Sequence, residues 1–213
     1  MQIKIKICGI TRYEDARTAT NLGADAIGFC FEKSNPRFIE PYRVKEIIKK
    51  LPPFISKVGV FCNETPQTII DTALYTCIDT IQLNGAETPE IASKIGMPVI
   101  KTFLIQPGFD LATLNGYKVS AFLLDNWTKM KKVGTPGKTY NWDIVQKAAR
   151  LKKNIILCGG LGIVNIKEAL AEVEPYAVDL CEGVEVGPGI KNPQKMRDII
   201  KMVKEWKYKA DQG

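Results

Sequence analysis

A chain of 213 residues that is 45% hydrophobic and 25% charged has the size and balance of a soluble globular domain able to bury a substantial core. It contains no histidine, which excludes His-ligated metal sites, Ser-His and Cys-His nucleophile pairs and imidazole bases, so acid–base chemistry must rest on Cys, Asp, Glu, Lys, Tyr or Arg. The net charge of +7 comes from lysines scattered through helix-like stretches, which speaks for a solvated surface and an anionic small molecule rather than nucleic acid.

The opening Met1-Gln2-Ile3-Lys4-Ile5-Lys6 alternates polar and apolar residues and reads as a strand, without the apolar core of a signal peptide. No apolar run is long enough to span a bilayer, so no membrane partner is expected and the cytoplasm is the expected compartment. The six cysteines show no paired spacing and read as reduced thiols.

Eight short, strongly apolar segments follow one another along the chain. They are Ile3–Cys8, Ala26–Phe31, Ser56–Phe61, Thr80–Leu83, Val99–Phe103, Ala121–Asp125, Asn154–Cys158 and Ala177–Cys181. Their lack of clean alternation suits strands buried on both faces, as in a parallel sheet. Helix-period stretches lie between them. Thr11-Arg12-Tyr13-Glu14 has capping-box form before Ala16–Leu22, and Gly23 supplies the stop. Thr65-Pro66, Thr88-Pro89 and Asn192-Pro193 place proline at the first helical position, and Asn165 is expected to cap Ile166–Val173. Eight strands, each with a helix-sized stretch behind it, predict an α/β fold, a single (β/α)₈ TIM barrel over residues 1–213.

In such a barrel the loops after the strands build the active site, so the strand ends name the candidates. Cys8 closes the first strand, Gln82 and Asn84 flank the end of the fourth, Asp125 closes the sixth, Gly159-Gly160 follows the seventh, and Asp179 with Glu182-Gly183 sits at the end of the eighth. Glycines after strands seven and eight fall where barrels hold phosphate on backbone amides. The stretch Gly134–Thr139 has the look of a nucleotide phosphate loop, but Lys132 stands where its first glycine belongs.

With these residues in place, the chain resembles the phosphoribosylanthranilate isomerase family over almost its full length. The likeness rests on Lys6-Ile7-Cys8-Gly9-Ile10-Thr11, Ser34-Asn35-Pro36-Arg37, Ile81-Gln82-Leu83-Asn84-Gly85, Leu123-Leu124-Asp125, Cys158-Gly159-Gly160-Leu161 and Gly183-Val184-Glu185 with Pro188-Gly189. The resemblance implies an Amadori rearrangement of N-(5-phosphoribosyl)anthranilate in tryptophan biosynthesis, without metal or organic cofactor. It implies Asp125 as general acid, Cys8 as general base and Arg37 as partner of the anthranilate carboxylate. It further implies substrate contacts from Gln82, Asn84 and Asp179, and a phosphate held by the amides of Gly159, Gly160, Gly183 and Val184. Three features depart from the pattern: Asn84 stands where the family usually has His, Cys181-Glu182 where it usually has Ser-Ser, and Val133-Gly134-Thr135-Pro136-Gly137 where it usually has Gly-Gly-Thr-Gly, in a loop after Asp125 that is a residue or two longer. Glu182 is expected to turn away from the site, since a carboxylate would repel the phosphate. Another sugar-phosphate barrel enzyme and a non-catalytic barrel remain open as alternatives. A monomer or a homodimer is expected, with Trp127 and Trp206-Lys207-Tyr208 either interface anchors or packing residues.

Overall fold

The computed structural model describes residues 2–106, 108–125, 142–151 and 153–206. Eight parallel strands close into a barrel in sequence order: β1 (Lys4–Ile7), β2 (Ala26–Cys30), β3 (Ser56–Phe61), β4 (Thr80–Leu83), β5 (Val99–Leu104), β6 (Ala121–Asp125), β7 (Ile155–Cys158) and β8 (Ala177–Leu180). Closure is made by β1 against β8, with Lys6 opposite Asp179 and Ile7 opposite Leu180. Each strand lies within a residue of where apolarity places it, because both of its faces are covered. One face packs Ile5, Ile7, Ile27, Phe29, Ile81, Leu83, Leu124 and Leu157 into the main core. A second cluster, Val58, Ile100, Ala121, Leu123, Ile156 and Ala177, comes from the opposite strand faces and fills the barrel interior. Full burial of each large aliphatic side chain favours folding by roughly 1.5–3 kcal/mol.

The helices are α1 (Tyr13–Asn21), α2 (Pro41–Ile48), α3 (Pro66–Thr76), α4 (Pro89–Ser93), α5 (Trp142–Ala149), α6 (Ile166–Val173) and α7 (Pro193–Lys204). Behind β5 stands a 3₁₀ turn, Leu111–Gly116, capped by the Asp110 carboxylate on the Ala112 amide. Thr65 caps α3 through the Thr68 amide, and Asn192 caps α7 through the amides of Gln194 and Lys195. No helix among the described residues is long and apolar enough to cross a membrane. Trp206 packs against the core, whereas Trp127, Lys207 and Tyr208 lie outside the described residues, as does Gly134–Thr139.

Two caps differ from expectation. Thr11 does not cap α1; its hydroxyl donates to the Gly189 carbonyl at 2.5 Å. Asn165 does not cap α6; its side chain turns back to accept from the Gly162 amide at 2.8 Å and to donate to the Gly160 carbonyl at 3.0 Å. For Thr11 a tertiary partner outcompetes the helix amide, and for Asn165 the glycine loop just before it does. A small antiparallel pair, β9 (Glu185–Gly187) and β10 (Ile190–Lys191), also follows β8 and sets Glu185 opposite Lys191.

A buried ion pair fastens the turn after β4. Lys101 and Glu87 meet at 2.9 Å with side chains only 2% and 0% exposed. Lys101 also donates to the Gly85 carbonyl, and Glu87 accepts from the amides of Asn63 and Gly85. Lys101→Met would leave the carboxylate buried without its cation, so it should cost ~3–5 kcal/mol of stability. Urea unfolding measures this; a loss below about 1 kcal/mol would show that the pair is dispensable.

Candidate active site

At the C-terminal ends of the strands the barrel opens into a cavity of about 280 Å³. Its wall contains Cys8, Arg37, Gln82, Asn84, Asp125 and Asp179, together with Gly159 and Gly160. The sequence candidates from six different strands and their loops therefore meet in one place. Gly183 and Val184 stand outside this lining, in the 3₁₀ turn Glu182–Val184, where the Val184 amide reaches the Cys181 carbonyl at 3.4 Å.

The floor of the cavity is a polar layer that replaces the aliphatic layer below it. Lys6 projects inward from β1 and donates to Gln82 Oε1 and Asp179 Oδ2, both at 2.8 Å. Gln82 passes the network on, donating to Thr102 at 3.2 Å and to Asn84 Oδ1 at 3.3 Å. Asp179 Oδ1 is buried with no hydrogen-bond partner among the described residues, an unsatisfied acceptor at the cavity wall. Such an atom is costly unless a ligand donates to it.

Four thiols line the cavity: Cys8, Cys30, Cys158 and Cys181. Their environments separate them. The hydrogen bond from the Cys181 thiol, helped by the Lys6 ammonium, brings Cys8 down to about 7 against burial and the Asp179 charge. The same hydrogen bond and burial push Cys181 well above the ordinary thiol value. Burial pushes Cys30 up to about 11, and burial with the charge of Asp125 holds Cys158 well above the usual range. Only Cys8 of the four is poised to be a thiolate near neutral pH.

Arg37 reaches the cavity from the loop after β2, its amide held by the Asn35 side chain at 2.9 Å. Nε and Nη2 grip the Glu185 carboxylate at 3.0 and 2.8 Å, and Glu185 also takes the Lys191 ammonium at 2.8 Å. This clamp orients the guanidinium and leaves Nη1 without a hydrogen bond to the described residues. Gly9, at φ +73°, lets the chain leave β1 here; a Cβ at this position would come within 2.6 Å of Arg37 Cδ. Sequence reasoning missed Glu185 as the holder of Arg37, because the β9–β10 turn that presents it is too short to show a pattern.

Glu182 corrects the expectation made of it. Its carboxylate lines the cavity and lies 3.5 Å from Arg37 Nη2 instead of turning away. The nearby cation supplies the neutralisation that an isolated carboxylate would lack. The glycine loop is braced from behind by Asn165, and a Cβ at Gly183 would overlap the Leu161 carbonyl, so glycine there lets the β7 and β8 loops touch.

Comparison with known proteins agrees with this geometry. The family model for N-(5'-phosphoribosyl)anthranilate (PRA) isomerase matches residues 5–202. A curated N-(5'-phosphoribosyl)anthranilate isomerase of Pelobacter propionicus is 44% identical over 203 residues, covering 95% of this chain and 96% of its own. The crystal structure of the phosphoribosyl anthranilate isomerase from Thermotoga maritima superposes with a TM-score of 0.86 at 36% identity, over 96% of this chain and all of that one. A structure of such an isomerase in complex with reduced 1-(o-carboxyphenylamino)-1-deoxyribulose 5-phosphate gives 0.84 at 34% identity, again over 96% of this chain and all of that one. From its first barrel strand to its last helix, the chain belongs to the phosphoribosylanthranilate isomerase family.

Proposed function

We propose that this protein catalyses the Amadori rearrangement of N-(5-phosphoribosyl)anthranilate to 1-(2-carboxyphenylamino)-1-deoxyribulose 5-phosphate, with Asp125 as acid and Cys8 as base. The observation that carries the reading is the meeting of these two side chains, far apart in sequence, on one cavity whose other thiols are all held protonated. Asp125 gives a proton to the furanose ring oxygen, the bond from that oxygen to C1′ breaks, and the anthranilate nitrogen forms an imine with C1′. The Cys8 thiolate takes the C2′ hydrogen, the electron pair of that bond moves into an enamine, and tautomerisation leaves a ketone at C2′. The substrate is oxidised at C2′ and reduced at C1′, so its electrons balance internally. Acid and base acting on opposite ends of one bond system is a recurrent arrangement.

The remaining polar groups suit the rest of the substrate. Arg37 Nη1 fits the anthranilate carboxylate, Asp179 Oδ1 fits a sugar hydroxyl, and the Gly159, Gly160 and Gly183 amides fit the phosphate. Expression of the chain in a tryptophan auxotroph lacking the isomerase is expected to restore growth without tryptophan. Failure of a well-expressed chain to do so would remove this substrate.

Glu182 shares Arg37 with any incoming carboxylate, so its removal should help binding. Glu182→Ser is expected to lower KM several-fold with kcat little changed, within the ~1 kcal/mol typical of a part-exposed pair. Initial-rate kinetics decide this; a clear rise in KM would show that Glu182 contributes to binding.

A further inference from the structure

Proton transfer by Asp125 and Cys8 leaves the Lys6 ammonium without a task, although it is a buried charge beneath the cavity. Its side chain is 4% exposed, and burying a cation at that depth is costly unless its partners repay it. Asp179 and Gln82 accept hydrogen bonds from two of its three N–H groups at 2.8 Å each. Lys6 stands two residues before Cys8 on the same chain, so both side chains point into the barrel. On the neighbouring strand, Gly28 leaves a gap. A Cβ there would come within 2.8 Å of Cys8 Sγ, 3.0 Å of Lys6 Cε and 3.2 Å of Lys6 Nζ. Sulfur and ammonium therefore face each other across the space that any side chain at position 28 would fill.

We propose that Lys6 is the positioning residue of the proton-abstraction step: anchored by Asp179 and Gln82, its ammonium aims its third N–H across the Gly28 gap at the Cys8 sulfur and holds it as thiolate. The inference deepens the reading of Cys8 as base and rests on it. In the step itself the C2′ hydrogen goes to Cys8 Sγ, the electron pair of its bond goes to the enamine, and Lys6 keeps its three protons throughout. The groups facing Cys8 are Lys6 on its own strand, Asp179 and Cys181 from the β8 end, Cys158 from β7 and Cys30 from β2, with Arg37 and Lys191 beyond Cys181 and Asp125 beyond Cys158. Among the groups that act on the sulfur, Lys6 is the cation. Asp179 alone would oppose the thiolate, and Cys181 supplies a neutral donor. The pairing also gives Gly28 a reason to lack a side chain.

The test is the pH dependence of Cys8 alkylation by iodoacetamide in the full chain without substrate, read peptide by peptide by mass spectrometry. The wild-type midpoint is expected near 7. In Lys6→Met it should rise by more than one pH unit, to or beyond the ~8.5 of a free thiol, with alkylation at pH 7 at least about ten-fold slower. Lys6→Arg should return the midpoint part of the way. Gly28→Ala keeps both groups but wedges them apart, and should raise the midpoint even if Lys6→Met does not fold. A midpoint that stays near 7 in Lys6→Met, or in Gly28→Ala where the former is unfolded, overturns the proposal. So does a midpoint that moves in Cys181→Ala but not in Lys6→Met, which would assign the thiolate to the second thiol. Because the readout needs no substrate, an incorrect isomerase reading would appear separately, as absent turnover with an intact alkylation profile.

Discussion

Cys8→Ser is expected to lower turnover of N-(5-phosphoribosyl)anthranilate by ~10²–10⁴-fold while KM stays close to the wild-type value, the range typical of losing a positioned general base. Serine keeps the shape of the side chain, but a hydroxyl is far harder to ionise than a thiol brought down to about 7. None of the other three cavity thiols stands ready to take over: burial raises Cys30 and Cys158, and the hydrogen bond to the side chain at position 8, together with burial, raises Cys181. The pH dependence follows with a definite sign. A base must be deprotonated to act, so the limb of the kcat/KM profile set by Cys8 should rise with pH up to about 7. Below that point it should fall about ten-fold per pH unit. Steady-state rates from pH 5 to 8 on freshly prepared substrate check both statements. Near-normal turnover in Cys8→Ser would take the base role away from this residue.

Asp125→Asn should produce a loss of the same order, ~10²–10⁴-fold in kcat, but at the other chemical step. Asparagine can still hydrogen-bond to the ring oxygen, yet it has no acidic proton to give. Ring opening then stalls, and the open-chain imine does not build up. In Cys8→Ser the ring can still open, and the imine waits for a base. Borohydride added during turnover should therefore trap a reduced open-chain adduct with Cys8→Ser and little with Asp125→Asn. Equal trapping in both variants would mean that the two residues do not divide the reaction in this way.

The barrel was legible because a strand buried on both faces leaves a mark in composition alone: eight apolar, β-branched runs stand where eight strands lie. What escaped was set by competing partners and by elements too short to leave a pattern. Thr11 and Asn165 carry good capping side chains, and both are drawn off, one by the Gly189 carbonyl and the other by the glycine loop it braces. The hairpin that presents Glu185 has strands of three and two residues, below the length at which periodicity can register.

The candidate site divides in the same manner. Position at a strand end, joined to the family resemblance, was enough to name Cys8, Asp125, Arg37, Gln82, Asn84, Asp179 and the first two glycines, and all of them line one cavity. Which of four cysteines is depressed could not be read, because it depends on neighbours such as Cys181, whose strand meets β1 only when the barrel closes. The orientation of Glu182 was misjudged for a related reason: its partner Arg37 comes from the opposite end of the sequence and crosses to it over Gly9.

The most direct measurement is product analysis after incubating the purified wild-type protein with freshly prepared N-(5-phosphoribosyl)anthranilate. The expected result is 1-(2-carboxyphenylamino)-1-deoxyribulose 5-phosphate, formed in proportion to protein concentration and far faster than the substrate decays in buffer. Substrate loss at the buffer rate, with anthranilate and ribose 5-phosphate as the only products, would contradict the assignment of this cavity as an isomerase site.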